Sequence, residues 1–275
     1  MDRSMRRLLI IECDGDRLGA SLDEADGSTG ILIVTGGTQT RIGSHRLFER
    51  LAAAFAEAGH PCLRFDRRGV GDSEGEDPDF RGNAHDIAAA AAAFRAQVPG
   101  IRRLLGLGLC DGATSLALFG AQAGIDGLIL INPWLVEAES DAPAPAAIKH
   151  HYRRQLTSLE GWKKILSGSI SYRKLLSGIL RIMRPQPAAP DLALQVAQAL
   201  AAMRRPIELI LAKDDATGVA ALAAWRSKGF ATALRDVPVH TTILDTDAHT
   251  FSRPGDAAVL ARACLDSIAR SGGFH

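Results

Sequence analysis

The sequence predicts an α/β protein, a mostly parallel sheet with helices on both faces. Three observations carry that expectation. Short β-rich apolar runs alternate with longer, alanine-rich helical stretches, the rhythm of strand–helix–strand units. Gly30-Ile-Leu-Ile-Val-Thr35 is apolar nearly throughout, as a strand covered on both faces should be. The runs also stop at turn-forming pairs: Gly36-Gly37, Pro99-Gly100 and Asn132-Pro133.

Taken in order, residues 7–13 and 17–22 flank Asp14-Gly15 and read as two strands of a hairpin. Residues 30–35 are the next strand. Ser44 is placed to cap a helix running to Ala58, which Gly59 closes. A strand at 61–65 and a helix at 83–97 follow; the alanine run from Ile87 to Phe94 has high helix propensity. Residues 101–109 form a strand that runs straight into Cys110, and the next helix spans 112–123. Residues 127–131 are again a strand. From Trp134 to Arg205 no strand is expected, only helical pieces separated by proline and glycine. The rhythm resumes with a strand at 206–212, a helix at 219–229, a strand at 241–244 and a helix at 256–269. The sheet needs strands on both sides of the middle section. The expected organisation is therefore one core, residues 1–133 and 206–275, with a helical cap, 134–205, inserted into it.

Composition narrows the function classes. The chain has 275 residues, 47% hydrophobic and 23% charged, enough for one large α/β domain and unlike a disordered chain. A net charge of +1 gives no overall field for nucleic acid. Cys13, Cys62, Cys110 and Cys264 lie far apart with no C-x-x-C pair, so neither a disulfide framework nor a metal site is expected. No cofactor is implied. No apolar run reaches membrane-spanning length, and the four residues from Leu8 to Ile11 are too few for a signal-peptide core. The expected address is the cytoplasm.

Gly108-Leu-Cys-Asp-Gly112 has the form G-x-C-x-G between an expected strand and an expected helix. At such a turn the central residue is strained, and side chains two positions either side would collide with the turn. The sulfur would stand clear of the sheet at a helix N-terminus, where the dipole favours thiolate and the Asp111 N–H is free for an oxyanion.

At these residues the sequence resembles the α/β-hydrolase superfamily, over nearly the whole chain apart from the cap. Asp66-Arg-Arg-Gly-Val-Gly-Asp-Ser73 looks like that family's D-x-R-G-x-G-x-S stretch, with a structural part to play. Gly36-Gly37-Thr38-Gln39 stands where the family places its other oxyanion N–H, on Gly37 or Thr38. With Arg41-Ile-Gly-Ser-His-Arg46, the set resembles the exosortase A system-associated hydrolases, bacterial proteins found with exopolysaccharide export machinery. Cysteine stands where the superfamily commonly has serine, which resembles the dienelactone-hydrolase variant.

The resemblance implies a triad in chain order, with an acid after the strand that follows the cap and a histidine after the last strand. Asp215 falls at the acid position, and Asp214 is its fallback. Of eight histidines, His249 alone lies between the last strand and the last helix. Cys110 would attack an acyl carbonyl, and water activated by His249 would release the acyl group. A thiol expels poor leaving groups badly, so thioesters, lactones and activated esters are expected substrates rather than amides. Between Lys149 and Arg184 nine lysines and arginines face one acid, Glu160. That surface suits solvent, an anionic or carrier-bound substrate, or an anionic membrane. Two readings compete with hydrolysis: acyl transfer through the same triad, and a non-catalytic binding module of the same fold.

Overall fold

Asp14 and Gly15 both take positive φ, 53° and 94°, as a two-residue hairpin turn requires. They join β1 (Arg6–Cys13) to β2 (Asp16–Asp23) in an antiparallel pair. The computed structural model describes residues 5–136 and 191–271. Over those residues the other strands are β3 (Thr29–Val34), β4 (Cys62–Phe65), β5 (Arg103–Leu109), β6 (Gly127–Ile131), β7 (Ile207–Ala212) and β8 (Val239–Leu244). They form one eight-stranded sheet in the order β1-β2-β4-β3-β5-β6-β7-β8. β2 also runs antiparallel to β4, and every later pairing is parallel.

Strand periodicity divides the core in two. On β3, Ile31 and Ile33 face one hydrophobic cluster, with Leu47, Phe48, Leu51 and Phe55 of α1 (Leu47–Glu57). Leu260, Cys264 and Ile268 of the last helix share it. Leu32 and Val34 face the other cluster, with Ile87 and Phe94 of α3 (Ala84–Gln97) and Leu116 of α4 (Asp111–Phe119). A four-residue helix, α2 (Asp79–Gly82), precedes α3. The apolar runs are continuous because the strands feed both clusters. At the sheet edge β8 has no such double cover, and its residues are exposed or half-buried.

The structure shifts several expected boundaries. Ser44 does not cap a helix: Ser44–Arg46 is a 3-10 turn without a side-chain cap, and His45 and Arg46 have φ of 52° and 60°. The α-helix begins at Leu47, where the buried stripe of Leu47, Phe48 and Leu51 begins. The helix expected at 219–229 is two, α6 (Ala216–Trp225) and α7 (Lys228–Ala233). Each has its own N-cap: Asp215 accepts from the Gly218 N–H at 2.9 Å, and Ser227 from the Phe230 N–H at 3.4 Å. Caps of this kind set helix starts more firmly than propensity does.

Of the segment expected as a cap, residues 137–190, with all of the basic stretch, lie outside the described residues. Its last part is α5 (Asp191–Met203). Leu192, Ala193, Val196, Ala197 and Leu200 recur at helical spacing, and each is at most 1% exposed. They join Ala113, Leu116 and Ala117 of α4 in one core cluster, so α5 is docked on the helix that follows Cys110. The chain closes with α8 (Asp256–Ser271).

Candidate active site

β5 delivers Cys110 to the end of the sheet, and α4 starts at the next residue. Cys110 has φ 59° and ψ −127°, a region that a residue with a side chain rarely enters and holds only under constraint. The flanking glycines supply part of that constraint. A Cβ on Gly108 would lie 2.6 Å from the Ala113 nitrogen, and one on Gly112 would lie 2.5 Å from the Val34 carbonyl oxygen. The turn is tied down by the Cys110 N–H donating to the Ile131 carbonyl (3.0 Å) and the Trp134 N–H donating to the Cys110 carbonyl (3.2 Å).

The four cysteines differ in setting. Cys13, Cys62 and Cys264 are buried, and Cys110 is half-exposed. Burial raises the thiol pKa of all three buried residues, for Cys13 to about 11 with the Asp86 carboxylate adding to the rise.

The parallel pairing of β7 with β8 continues beyond both strands. The Lys213 N–H donates to the Leu244 carbonyl and the Asp214 N–H to the Thr246 carbonyl. This brings Asp215 beside the loop that carries His249. Asp215 is 7% exposed, and its Oδ2 lies 2.9 Å from His249 Nδ1. The imidazole also lies close enough to the Cys110 side chain for that group to raise its pKa. Asp215, rather than the adjacent Asp214, thus holds the ring, and the structure brings together the three side chains singled out in the sequence. The His249 pKa is raised to about 10, by the hydrogen bond with Asp215 first and by the Cys110 side chain second, against the opposing effect of burial. The direction favours the protonated ring, which can turn one N–H to the carboxylate and one toward the sulfur.

The residues expected to hold an oxyanion are differently engaged. Gly37, at φ 55°, directs its N–H to the Asp111 carboxylate, 2.6 Å from Oδ1. Thr38 is exposed on the same turn. Burial raises the Asp111 pKa, while the Gly37 N–H and the Arg67 guanidinium lower it.

Two residues near the site were not marked by sequence reasoning. Asn132, fully buried with φ 41°, donates through Nδ2 to the His249 carbonyl (3.3 Å) and accepts the Ala212 N–H (2.8 Å). It ties the ends of β6 and β7 to the histidine loop. In one dimension it is one more asparagine before a proline, and no periodic signal distinguishes it. Arg67 is the other, hidden inside the Asp66–Ser73 stretch. That stretch is held largely by its own charges: Asp66 takes Arg41, Arg68 takes Asp86 (2.7 Å), and Ser73 donates to the Asp66 carbonyl (2.6 Å).

A mostly parallel sheet with an antiparallel second strand, and a strained turn between β5 and α4, define an α/β-hydrolase fold. The model of the alpha/beta hydrolase family matches residues 31–269. The chain belongs to that family. No curated protein sequence matches it. Among solved structures it is similar to the esterase Pf2001 of Pyrococcus furiosus, at 12% identity and TM-score 0.65, covering 98% of this chain and 91% of that one. It is also similar to Est1E of Butyrivibrio proteoclasticus, solved with ferulic acid bound, at 16% identity and TM-score 0.61 over 96% and 98% of the two chains. A dienelactone hydrolase from Anabaena variabilis matches at 12% identity and TM-score 0.63, over 98% of each chain. At these identities the likeness is one of fold.

Proposed function

We propose that the protein hydrolyses acyl thioesters, lactones and activated esters through a covalent acyl–Cys110 intermediate. One observation carries the reading: the His249 imidazole is hydrogen-bonded to Asp215 and close to the Cys110 side chain at the strained turn. Asp215 fixes the ring and stabilises its cationic form, and the imidazolium in turn stabilises the thiolate. The sulfur attacks the carbonyl carbon, forming the C–S bond and moving the π electrons onto oxygen. The Asp111 N–H and the Gly37 or Thr38 N–H are the donors for that oxygen. Collapse of the adduct expels the alkoxide or thiolate, which takes the proton from His249. The neutral imidazole then deprotonates a water, hydroxide adds to the thioester, and Cys110 leaves as thiolate.

Two sequence features support a narrower assignment. The basic residues from Lys149 to Arg184 suit an anionic, carrier-bound acyl group. The resemblance to exosortase A system-associated hydrolases suits a role beside exopolysaccharide export.

Intact-mass analysis after incubation with a panel of acyl thioesters and p-nitrophenyl esters tests the reading. The acyl mass should appear on Cys110 and vanish in Cys110→Ala, with free acid as the product. Turnover undiminished in Cys110→Ala would sink it. Transfer of the acyl group to an added sugar or alcohol in preference to water would reassign the same chemistry to an acyltransferase.

A further inference from the structure

Of the two N–H groups named as partners of the Asp111 N–H for the oxyanion, that of Gly37 is already occupied in this structure. The Gly37 N–H donates to Asp111 Oδ1 at 2.6 Å, so a carboxylate oxygen takes the hydrogen bond that this N–H would offer an acyl oxygen. The seat is built for it. A Cβ on Gly36 would come 2.3 Å from that same Oδ1 and 2.5 Å from the Leu109 carbonyl oxygen. The β5 backbone therefore excludes a side chain at position 36, and the carboxylate lies in the space left open. A fixed negative charge in this place opposes both the thiolate and the oxyanion, each of which needs positive potential.

A second observation is independent of the first. The Arg67 side chain is 4% exposed, and Nη2 donates to Asp77 Oδ2 at 2.8 Å. Its Nε and Nη1 are buried and have no hydrogen-bond partner among the described residues. A buried guanidinium with two unmade hydrogen bonds is costly unless some state of the molecule fills them. Arg67 is near enough to Asp111 for its charge to act on that carboxyl. A carboxylate that occupies a candidate oxyanion donor thus lies within electrostatic range of a buried cation with donors to spare.

We propose that Asp111 is a displaceable plug of the oxyanion position: its carboxylate rests on the Gly37 N–H and moves to Nε and Nη1 of Arg67 when the acyl carbonyl enters. The Asp111 carboxylate and the Arg67 guanidinium are positioning groups, since neither side chain touches the reacting atoms in the open state; the Asp111 N–H keeps its part as an oxyanion donor. No bond is made or broken in the step. The inference rests on the Cys110 reading above.

Two reagents separate the plug from general damage to the site. Acylation by p-nitrophenyl acetate needs the oxyanion position, whereas alkylation by iodoacetamide needs only the thiolate. Both are measured on the full chain, on the high-pH plateau of each rate profile. Asp111→Ala should acylate about tenfold faster, a fraction of what a single oxyanion donor is worth, with alkylation changed less than about twofold. Asp111→Asn, which keeps an acceptor for Gly37 without the charge, should fall between. Arg67→Gln should acylate about tenfold more slowly, because the displaced carboxylate loses its receptor. In the Asp111→Ala background the same arginine change should have no effect on acylation, a full coupling of the two sites.

Acylation of Asp111→Ala no faster than wild type, with alkylation intact, overturns the plug. So does an Arg67→Gln loss that persists undiminished in the Asp111→Ala background, which would mean that the guanidinium serves the substrate. If the arginine variants do not fold, the order wild type, Asp111→Asn, Asp111→Ala decides alone. An acyl adduct missing from wild type and every variant would defeat the Cys110 reading and the plug with it. An adduct that forms without the Asp111 effect defeats the plug only.

Discussion

The Oδ2 of Asp215 accepts two hydrogen bonds at 2.9 Å, one from His249 Nδ1 and one from the Gly218 N–H that opens α6. The same atom therefore serves the proposed triad and a helix cap, and substitutions divide the two. Asparagine is a good N-cap but carries no charge to hold an imidazolium. Asp215→Asn should therefore slow Cys110 acylation by roughly 10²–10⁴-fold, the scale seen when a triad acid becomes an amide, with little change in the unfolding midpoint. Asp215→Ala should lose as much activity and also about 1 kcal/mol of stability with the cap. Single-turnover acylation and urea unfolding on both variants check this. Full acylation in Asp215→Asn would remove the carboxylate from the mechanism. Gly218 belongs to the same arrangement: a Cβ there would lie 2.6 Å from the Ala212 carbonyl oxygen and 2.9 Å from Asn132 Oδ1.

At the scale of elements, α5 holds the helix that positions the elbow. Leu200 is fully buried in the cluster that contains Leu116 of α4, while Leu194 on the same helix is 42% exposed. Leu200→Ala should destabilise the fold by about 2–4 kcal/mol, the range for emptying a buried leucine site. Leu194→Ala should stay within roughly 0.5 kcal/mol of wild type, as surface changes do. Equal unfolding midpoints for the two variants would contradict the docking of α5 on α4. The glycines of the elbow were legible as a steric demand. The collision partner of Gly112, the carbonyl of Val34 on β3, was not, because it comes from a neighbouring strand.

For the whole molecule, His249 links protonation to stability. Its pKa is raised from an ordinary 6.5 to about 10 in the folded state, so the folded protein holds that proton more tightly than the unfolded chain does. The resulting stabilisation is fully present below pH 6.5 and is lost as pH rises through about 10. The difference in unfolding free energy between wild type and His249→Gln should shrink steadily across that window. Urea titrations at pH 6, 8 and 10 measure it. A difference constant across the three would show that the imidazolium is not held as the geometry implies. Under the proposed mechanism, turnover of esters whose alkoxide needs a proton to leave should fall over the same window, whereas acylation by p-nitrophenyl acetate should not.

The sequence by itself determined the strand–helix rhythm, the two-sided burial of the central strands and the elbow at Cys110. Each of these rests on residues adjacent in the chain: a period of two or of 3.6, or a side chain two positions from a strained one. The order of Cys110, Asp215 and His249 along the chain was legible too, although the choice between Asp214 and Asp215 stayed open until β7 and β8 were paired beyond their ends. The tertiary structure alone decided the contacts between distant positions. Asn132 reaches the His249 carbonyl across 117 residues, and Gly37 reaches the Asp111 carboxylate across 74. No local propensity encodes such contacts, because they depend on which strand ends the sheet sets side by side. The same reason hides Arg67, an ordinary basic residue in the sequence, whose lack of partners at Nε and Nη1 follows from burial by the folded chain.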